Sequence, residues 1–471
     1  MIIMRGGFKM ATTSQWSGTE VISRLDRIPV WPYPVSVLWV IGIGYLLAFF
    51  DITNVGFGLP VIIKQFHISA AASAIPITAS LLGYILGAYL NSTLADLRGR
   101  KVGIISATIL FTVGSVATAV SFDWTWLVIW RFITGMGIGA EIAAISAYMS
   151  EMSPAPIRGR FTGWANVFAF SGFAVVPFVA LALVPHFSWG WRGLFVVGAL
   201  GGLTLFWSTH IAESPRWLLA HHREEEAQAV VRAAEQLAEK KLGHALPQPK
   251  ILADETHVQQ FPTSALFKPP YIGRLFLLLA IWIFIYLSDY AWLGLAPTFL
   301  VDKGYSLSNS IVFLLVTGIG YPVGALLAAW LGDQFERKYS IVTGVLVWVV
   351  GLIAVGTVPS PAVIYIAGFF LSAALTFFFP LLYALTAESF STHARASGVA
   401  LTDGVGHVGG ALAPILALAA YGAFGASGFM MAFFYMAVTG LIGAILLPFG
   451  IAATRKSLEM VHQDSSQTAS G

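Results

Sequence analysis

The chain has 471 residues, of which 57% are hydrophobic and only 10% are charged, whereas soluble domains contain about 25% charged residues. This composition excludes an ordinary soluble enzyme, because a water-soluble fold of this size would expose large apolar areas. The net charge of +3, from 26 basic and 23 acidic residues, is too balanced for a nucleic-acid-binding protein. Cysteine is absent, which excludes disulfides, thiolate metal sites and cysteine nucleophiles. We therefore expect a protein embedded in a lipid bilayer.

The chain begins with 33 residues that include four basic side chains and no uninterrupted apolar run, which predicts a cytosolic tail rather than a cleaved signal. A membrane-spanning helix needs about 20 mainly apolar residues, and twelve such stretches follow the tail. We number them spans 1 to 12 in chain order. Their predicted limits are 36–62, 71–93, 102–122, 125–149, 161–184, 191–211, 273–300, 307–331, 340–358, 361–386, 397–422 and 425–451.

A polar segment separates the first six spans from the last six. Within it, Ser214 as an N-cap with Pro215 in the first turn predicts a short helix, followed by a helix-prone run through Glu239. We predict an all-α membrane protein with two six-helix bundles. Its parts are a cytosolic tail 1–35, a first bundle 36–212, a cytosolic linker with short helices 213–271, a second bundle 272–452 and a cytosolic tail 453–471.

The basic residues predict the orientation of the chain in the membrane. With the N-terminus in the cytosol, the outside connections contain only Lys64, Arg192 and Lys303, and Arg131 lies inside span 4. The other 22 basic residues then lie on the cytosolic side, as positively charged connections prefer. We expect a multi-pass protein of the cell membrane with both termini in the cytosol.

Five charged residues recur at a fixed offset of 237, which indicates an internal repeat of the six-span unit. Such parallel copies are related in transporters by a twofold axis along the membrane normal, with a substrate site between them near the midplane. The recurring residues are Asp96, Arg100, Lys101, Glu151 and Arg158 in the first copy and Asp333, Arg337, Lys338, Glu388 and Arg395 in the second.

Residues 92–101, between spans 2 and 3, resemble the G-x-L-x-D-R-x-G-R-R signature of the major facilitator superfamily, with Ser92 and Leu97 departing from it. The second copy, residues 331–338, lacks the inner glycine. Residues 148–160, 213–219 and 387–390 resemble elements of the sugar-porter and metabolite:proton symporter branches of that superfamily. The resemblance covers nearly the whole chain. It implies a secondary transporter that works without a cofactor or a metal, functions as a monomer and is not an enzyme.

Carboxylates at helix ends with cations one turn away could form cytosolic ion-pair latches that hold one orientation of the bundles. The alternative is that the basic residues only enforce the topology. The predicted latch residues are Asp96, Arg98, Arg100, Glu151, Arg158, Glu213, Arg216, Asp333, Arg337, Glu388 and Arg395.

Ionisable residues inside spans are functional candidates, because each costs about 2.5–3.5 kcal/mol at a helix centre. Asp51 in span 1 and Arg131 in span 4 fall at similar depths, so they can pair. Protonation of Asp51 would release the pair, and a substrate carboxylate could compete for the guanidinium. This predicts a proton-coupling site, which the resemblance to proton-coupled sugar porters supports. The alternative is a permanent ion pair that only fixes packing.

Glu141 follows a glycine-rich stretch, residues 135–139, whose small residues permit close helix contact. An acid in this position resembles the metabolite:proton and phosphate:proton symporters, where it is linked with proton coupling. Glu141 is therefore a rival or second proton carrier. The alternative is a protonated carboxyl that is hydrogen-bonded to a neighbouring helix.

Two groups in the second half are candidates for substrate binding. In span 7, Asp289 lies among aromatic residues that could hold a ring or a sugar, although aromatic residues at helical spacing also serve as packing or interfacial anchors. In span 11, Asp403 and His407 are four residues apart and share a helix face, so they could relay protons or simply satisfy each other. The span 7 aromatics are Tyr286, Tyr290 and Trp292.

Residues 404–409 match G-x-G-x-x-G, but they lie inside an apolar span, so they indicate packing and not a dinucleotide site. No phosphate-binding P-loop sequence is present, which excludes direct drive by ATP. The absence of a metal-ligand cluster or triad pattern makes an intramembrane enzyme a remote alternative.

We therefore expect proton-coupled transport of a small organic solute by alternating access. Residues 24–29 and 49–60 and the Gly-Ala-Glu of span 4 resemble the metabolite:proton symporters, including niacin-type and aromatic-acid carriers. Arg131 suits a carboxylate, so an organic acid is favoured over a sugar or phosphate. A uniporter or a transporter-like ligand sensor without proton coupling remains the alternative of another class.

Overall fold

A computed structural model describes residues 18–69, 71–249, 263–332, 334–391 and 394–451 of the chain. Twelve of its helices are long and apolar enough to cross a membrane, six before the linker and six after it, and no strand occurs in these ranges. The predicted all-α fold is confirmed. The observed spans 1 to 12 are Val35–Phe66, Ala71–Arg98, Arg100–Ala119, Trp124–Met152, Ala155–Leu183, Gly190–His210, Ile272–Asp302, Leu307–Leu331, Arg337–Thr357, Pro361–Glu388, Ser397–Ala423 and Gly425–Phe449.

Polar side chains at the span ends explain where several helices begin. The Asp123 carboxylate accepts the main-chain N–H of Trp126 at 2.7 Å and caps span 4. Ser306 and Ser360 cap spans 8 and 10 in the same way. Gly99, at φ 113°, separates spans 2 and 3 in a backbone conformation that favours glycine.

Three spans are interrupted at points that hydropathy does not reveal. Span 6 changes from an α-helix to a 3-10 helix after Ala199, and span 8 is divided at Ile319. Span 11 contains a π-helical turn at Ala400–Gly404, which includes Asp403. Irregular turns of this kind are frequent at functional sites.

Glycines bring spans 2 and 4 into close contact. A Cβ atom on Gly135 would overlap the main-chain oxygen of Ser80, and one on Gly139 would overlap that of Tyr84. The two backbones therefore touch along the glycine-rich stretch, as small residues permit. This contact confirms the packing role predicted for residues 135–139.

We call the face of the bundles at which span 1 begins and span 12 ends the terminus side. Two close contacts between the halves lie at mid-depth or farther from that side. Thr78 of span 2 donates to the main-chain oxygen of Ala411 in span 11 at 2.7 Å. Gly56 of span 1 packs against Gly294 of span 7, where an added Cβ would lie 2.6 Å from the main-chain oxygen of Gly294.

The terminus side of the first half is covered by short helices of the tail and linker. Ser214 accepts the Trp217 N–H at 3.2 Å and caps the helix Pro215–Ala220, which confirms the predicted N-cap. The predicted helix-prone run forms the helix Glu224–Leu242. An additional helix, Gly18–Asp26, lies in the N-terminal tail.

These short helices are joined by charged groups. Glu235 of the linker accepts from Arg24 at 2.6 Å and from Arg27 at 2.5 Å. Lys241 donates to the main-chain oxygen of Trp31 at 2.9 Å, and burial lowers the pKa of the Lys241 ammonium. The N-terminal helix and the linker therefore form one cap on the first half.

Candidate functional site

Asp51 and Arg131 form a fully buried ion pair between spans 1 and 4. Arg131 Nη1 lies 2.5 Å from Asp51 Oδ1, and neither side chain is exposed. Arg131 Nη2 also donates to the main-chain oxygen of Asp51 at 3.2 Å. The structure thus joins the two residues that the sequence placed at similar depths, and the pair neutralises both charges inside the membrane.

Two serines complete the hydrogen bonding of this pair. Ser115 of span 3 donates to Asp51 Oδ2, and Arg131 Nη2 donates to Ser80 Oγ of span 2 at 3.1 Å. The sequence analysis missed both serines, because a single hydroxyl in an apolar span carries no charge signal. Four spans therefore converge on one carboxylate–guanidinium pair.

Unpartnered polar atoms lie beside the pair. Arg131 Nε is buried and has no hydrogen-bond partner within the described residues, and the same holds for both amide atoms of Asn54. Asn54 is one helical turn from Asp51, and a Cβ on Gly198 of span 6 would lie 2.7 Å from Asp51 Oδ2. The pair thus lies against the end of the α-helical part of span 6. It retains one free donor for a further acceptor.

Glu141 is buried near the middle of span 4 and lies against span 1. An added Cβ on Gly44 would lie 2.5 Å from Glu141 Oε1. Glu141 Oε2 has no hydrogen-bond partner in the described part of the chain. Tyr45, next to Gly44, bonds to Ser146 at 2.7 Å. No basic side chain pairs with Glu141 among the described residues, so this acid differs from Asp51.

Asp403 is the centre of a polar and aromatic cluster in the second half. Tyr286 of span 7 and Tyr383 of span 10 both donate to Asp403 Oδ1, the latter at 3.0 Å. The two tyrosine hydroxyls lie 3.2 Å apart. Tyr383 was not predicted, and its position in an aromatic-rich span gives no local signal for this contact.

His407 lies one turn beyond Asp403, as predicted. Its Nδ1 atom is 2.9 Å from the main-chain oxygen of Asp403 and 3.6 Å from Asp403 Oδ1. The ring of Tyr84, from span 2 of the first half, stacks on the His407 ring at 4.2 Å and 19°. The cluster therefore includes both halves of the protein.

The four candidates of span 7 point in different directions. Tyr286 and Tyr290 face His407, with ring centroids at 4.2 and 5.8 Å. Trp292 instead faces Trp348 at 6.3 Å, and Asp289 is 2% exposed with an unpartnered Oδ1 atom. The predicted single aromatic and acidic face is thus divided into two.

Two narrow cavities lie between the halves. The first is lined by residues that include Ser80, Tyr84 and Tyr290, so it connects the partner of Arg131 with the aromatic cluster. The second is lined by residues that include Trp292 and Tyr321. Both have lining residues from each half.

The predicted latch residues of the first half form a network on the terminus side. Arg100 bonds to Asp96 and, at 2.8 Å, to Glu151. Glu213 accepts the main-chain N–H of Arg100 at 2.8 Å. Arg98 is exposed and makes no ion pair among the described residues, so it lies outside this network.

Asp26 extends this network to the N-terminal helix. Its carboxylate accepts from Arg216 at 2.8 Å and from Arg158 at 3.3 Å. The sequence analysis did not select Asp26, because it lies in the N-terminal tail and not in a connection next to the motifs of the spans. Arg216 also donates to the main-chain oxygen of Glu151 at 3.3 Å.

In the second half, Arg337 bonds to Glu388, and Arg395 donates to the main-chain oxygen of Ala387 at 3.1 Å. Asp333 lies outside the described residues. All of these latch contacts join elements of the same half. No group of three His, Cys, Asp or Glu residues that could hold a metal occurs in the ranges that the structure describes.

The sequence matches the family model "Sugar (and other) transporter" over residues 40–464. It is 30% identical over 401 residues to "Putative metabolite transport protein YyaJ" of Bacillus subtilis (strain 168), covering 85% of this chain and 88% of that protein. It is 27% identical over 401 residues to the niacin transporter NiaP of Acinetobacter baylyi, covering 84% and 89%. The fold matches the proton:xylose symporter XylE of E. coli with a TM-score of 0.71 and 20% identity over 91% and 98% of the two chains.

Proposed function

Because the chain belongs to the sugar (and other) transporter family of the major facilitator superfamily, we propose that it is a proton-coupled symporter of a small organic acid. The family makes it a multi-pass membrane transporter of small solutes and not an enzyme. Proton coupling and an acid substrate rest chiefly on one observation, the buried Asp51–Arg131 pair.

The Asp51–Arg131 pair couples the binding of a proton to the binding of a substrate carboxylate through charge balance. In the empty site, Asp51 and Arg131 cancel each other. When a proton binds Asp51, the guanidinium loses its partner, and a substrate carboxylate restores neutrality by binding in place of Asp51. Either ligand alone leaves the pair with an uncompensated charge inside the membrane, which is costly. The pair is neutral only in the empty and doubly loaded forms, so one proton moves with each substrate carboxylate.

Glu141 is a second group that could carry protons. It is buried, and no basic side chain of the described ranges forms an ion pair with it. Its contact with Gly44 places it on the same two spans as the Asp51–Arg131 pair. We assign it a role in proton passage between that pair and the terminus side.

The first cavity marks the place between the halves where an aromatic acid would bind as the halves separate. The first cavity joins the Arg131 partner Ser80 to the rings of Tyr84 and Tyr290. A flat ring can stack on such side chains while its carboxylate reaches the guanidinium. Similarity to a niacin transporter supports the same class, since niacin is an aromatic carboxylate.

We further propose that the protein lies in the cell membrane with both termini in the cytosol and works as a monomer. The distribution of basic residues supports this orientation. The halves meet at mid-depth and on the side away from the termini, as expected of a carrier closed to the outside. The charged networks on the terminus side would then act as latches when that side closes.

The test is uptake of radiolabelled nicotinate and benzoate into proteoliposomes under an imposed pH gradient, with and without a membrane potential. Wild-type protein is expected to accumulate one of these acids in response to the pH gradient and not to the potential, because an anion and a proton carry no net charge. Asp51→Asn should retain exchange and lose accumulation. Full accumulation by Asp51→Asn would exclude the coupling role, and equilibration without accumulation by the wild type would indicate a uniporter.

A further inference from the structure

Asp403 and the rings around it form a second site between the halves, and we propose that this site binds a positively charged nitrogen group of the substrate. The inference rests on the proposed function and narrows the substrate class. The preferred substrate would be an aromatic acid that also carries a cationic nitrogen, such as an N-alkylated pyridine carboxylate. Arg131 would bind the carboxylate, and Asp403 would bind the cation.

The carboxylate of Asp403 has no basic partner of its own. Among the described residues, no lysine or arginine forms an ion pair with it. Both tyrosine hydroxyls donate to Oδ1, and no donor to Oδ2 occurs among the described residues. The side chain is 17% exposed, so Oδ2 is accessible to a ligand. A carboxylate oxygen in this position can accept a charge-assisted hydrogen bond or a close contact from a cation.

His407 does not supply that cation. Its Nδ1 lies 2.9 Å from the main-chain oxygen of Asp403, a partner that a neutral ring satisfies by donating its single N–H. Its contact with Asp403 Oδ1 is longer, at 3.6 Å. The main-chain oxygen therefore uses the N–H of His407, and the Asp403 carboxylate keeps an accessible oxygen for a ligand.

Aromatic rings are grouped around His407, one helical turn from Asp403. Tyr84 stacks on His407 at 4.2 Å, Tyr286 lies 4.2 Å from the same ring, and Tyr290 lies 5.8 Å from it. Aromatic faces attract cations, so these rings would add to the attraction of the nearby carboxylate for a cationic nitrogen. A flat heterocycle could replace the Tyr84–His407 stack by inserting between the two rings.

The local backbone also presents Asp403 to this space. The π-helical turn Ala400–Gly404 widens span 11 at the acid, and the regular α-helix resumes at Val405. Tyr84 comes from the first half and the other rings come from the second, so a bound cation would hold the two halves together. Substrate binding would therefore act on the contact between Tyr84 and the second half, which must change during transport.

Four compounds with one ring skeleton separate the two charges. N-methylnicotinate carries both charges, nicotinate carries only the anion, 1-methylnicotinamide carries only the cation, and nicotinamide carries neither. Dissociation constants for the purified full-length protein would be measured by calorimetric titration at neutral pH. We expect each cationic compound to bind about tenfold more tightly than its partner without the cation.

Two ratios of dissociation constants would then be measured in matched variants: nicotinate to N-methylnicotinate, and nicotinamide to 1-methylnicotinamide. Both ratios should fall to about one in Asp403→Asn and persist in Asp403→Glu, which keeps the charge. Tyr84→Phe should preserve them, because the ring remains, and Tyr84→Leu should reduce them. Cation ratios near one in the wild type, unchanged ratios in Asp403→Asn, or failure of all four compounds to bind would overturn the proposal.

The Asp51→Asn variant distinguishes this proposal from the proposed function. It should alter the preference for a carboxylate and leave the preference for the cation intact, because Asp403 is untouched. Loss of proton coupling with no cation preference would support the first proposal and contradict this one. A cation preference in a protein that transports without protons would support this proposal and contradict the proton coupling of the first.

Discussion

The two halves surround the acids inside their spans with different partners. In the first half, Asp51 has a guanidinium and a serine hydroxyl as partners. In the second half, Asp403 is held by tyrosines, and Asp289 has an unpartnered oxygen. The repeat offset places Ser288 and Gly368 at the positions that correspond to Asp51 and Arg131. The two copies thus share the charges at the span ends and differ at the central pair, which only the first half has at these positions.

The largest expected effect is that of Asp51→Asn on stability as well as transport. The substitution leaves Arg131 buried without an anion, which should lower the free energy of unfolding by about 3–5 kcal/mol. Thermal denaturation in detergent would measure the loss. The double variant Asp51→Asn/Arg131→Gln removes both charges and should recover most of the stability but not the coupling. A single variant as stable as the wild type would show that the pair is not buried as observed.

For Asp289→Asn in the second half, we expect the change in the free energy of unfolding to have the opposite sign. Asp289 is 2% exposed, and its Oδ1 atom has no hydrogen-bond partner within the part of the chain that the structure describes. Replacing this acid by a neutral amide of the same shape removes the cost of burying it and should raise the free energy of unfolding by about 1–2 kcal/mol, or leave it unchanged. Thermal denaturation of Asp289→Asn and Asp51→Asn under the same conditions compares the two changes in stability directly. Destabilisation as large as that of Asp51→Asn would show that Asp289 has a charged partner.

A smaller effect is expected for Ser115→Ala in the first half. The variant deletes one hydrogen bond to the Asp51 carboxylate. It should lower the free energy of unfolding by about 1–3 kcal/mol, because the acceptor is charged. Proton-driven uptake should slow without being lost, since Arg131 still pairs with Asp51. Thr118→Ala in the same span is a matched control, because its hydroxyl bonds only to a main-chain oxygen and to Thr134. Equal effects of both variants on uptake would deny Ser115 a specific role.

The smallest effect is expected on the terminus side. Glu235→Gln weakens the contacts with Arg24 and Arg27 and should reduce stability by about 1 kcal/mol or less. Limited proteolysis should cut the N-terminal segment faster, while transport stays unchanged. Arg223 lowers the pKa of the fully exposed Glu226 through a hydrogen bond, and Glu226→Gln is the control for general surface effects. Equal cleavage of the Glu235 and Glu226 variants would contradict the role of Glu235 in the cap.

Much of the fold follows from local sequence signals. Long apolar runs and polar interruptions predicted the twelve spans, and a serine followed by proline predicted the linker cap at Ser214. The depth of Asp51 and Arg131 in their helices predicted that they could meet. These features depend on one helix at a time, or on depth alone.

The remaining features depend on how helices are rotated and packed. Hydropathy did not reveal the π-helical turn at Asp403 or the division of span 8, because such turns arise from contacts with neighbouring helices. Tyr84 and Ser115 were missed because uncharged residues give no signal until their partners are known. Trp292 was grouped with Tyr286 because periodicity alone does not show which neighbour each residue faces.

The most direct test of the account measures proton movement itself. Nicotinate or N-methylnicotinate, whichever the wild type binds more tightly, is added to weakly buffered proteoliposomes with the membrane potential clamped at zero, and the external pH is recorded. We predict alkalinisation in proportion to uptake, with one proton per substrate, for the wild type and none for Asp51→Asn or for empty liposomes. Substrate-dependent alkalinisation by Asp51→Asn equal to that of the wild type would contradict the assignment of the Asp51–Arg131 pair as the proton-coupling site.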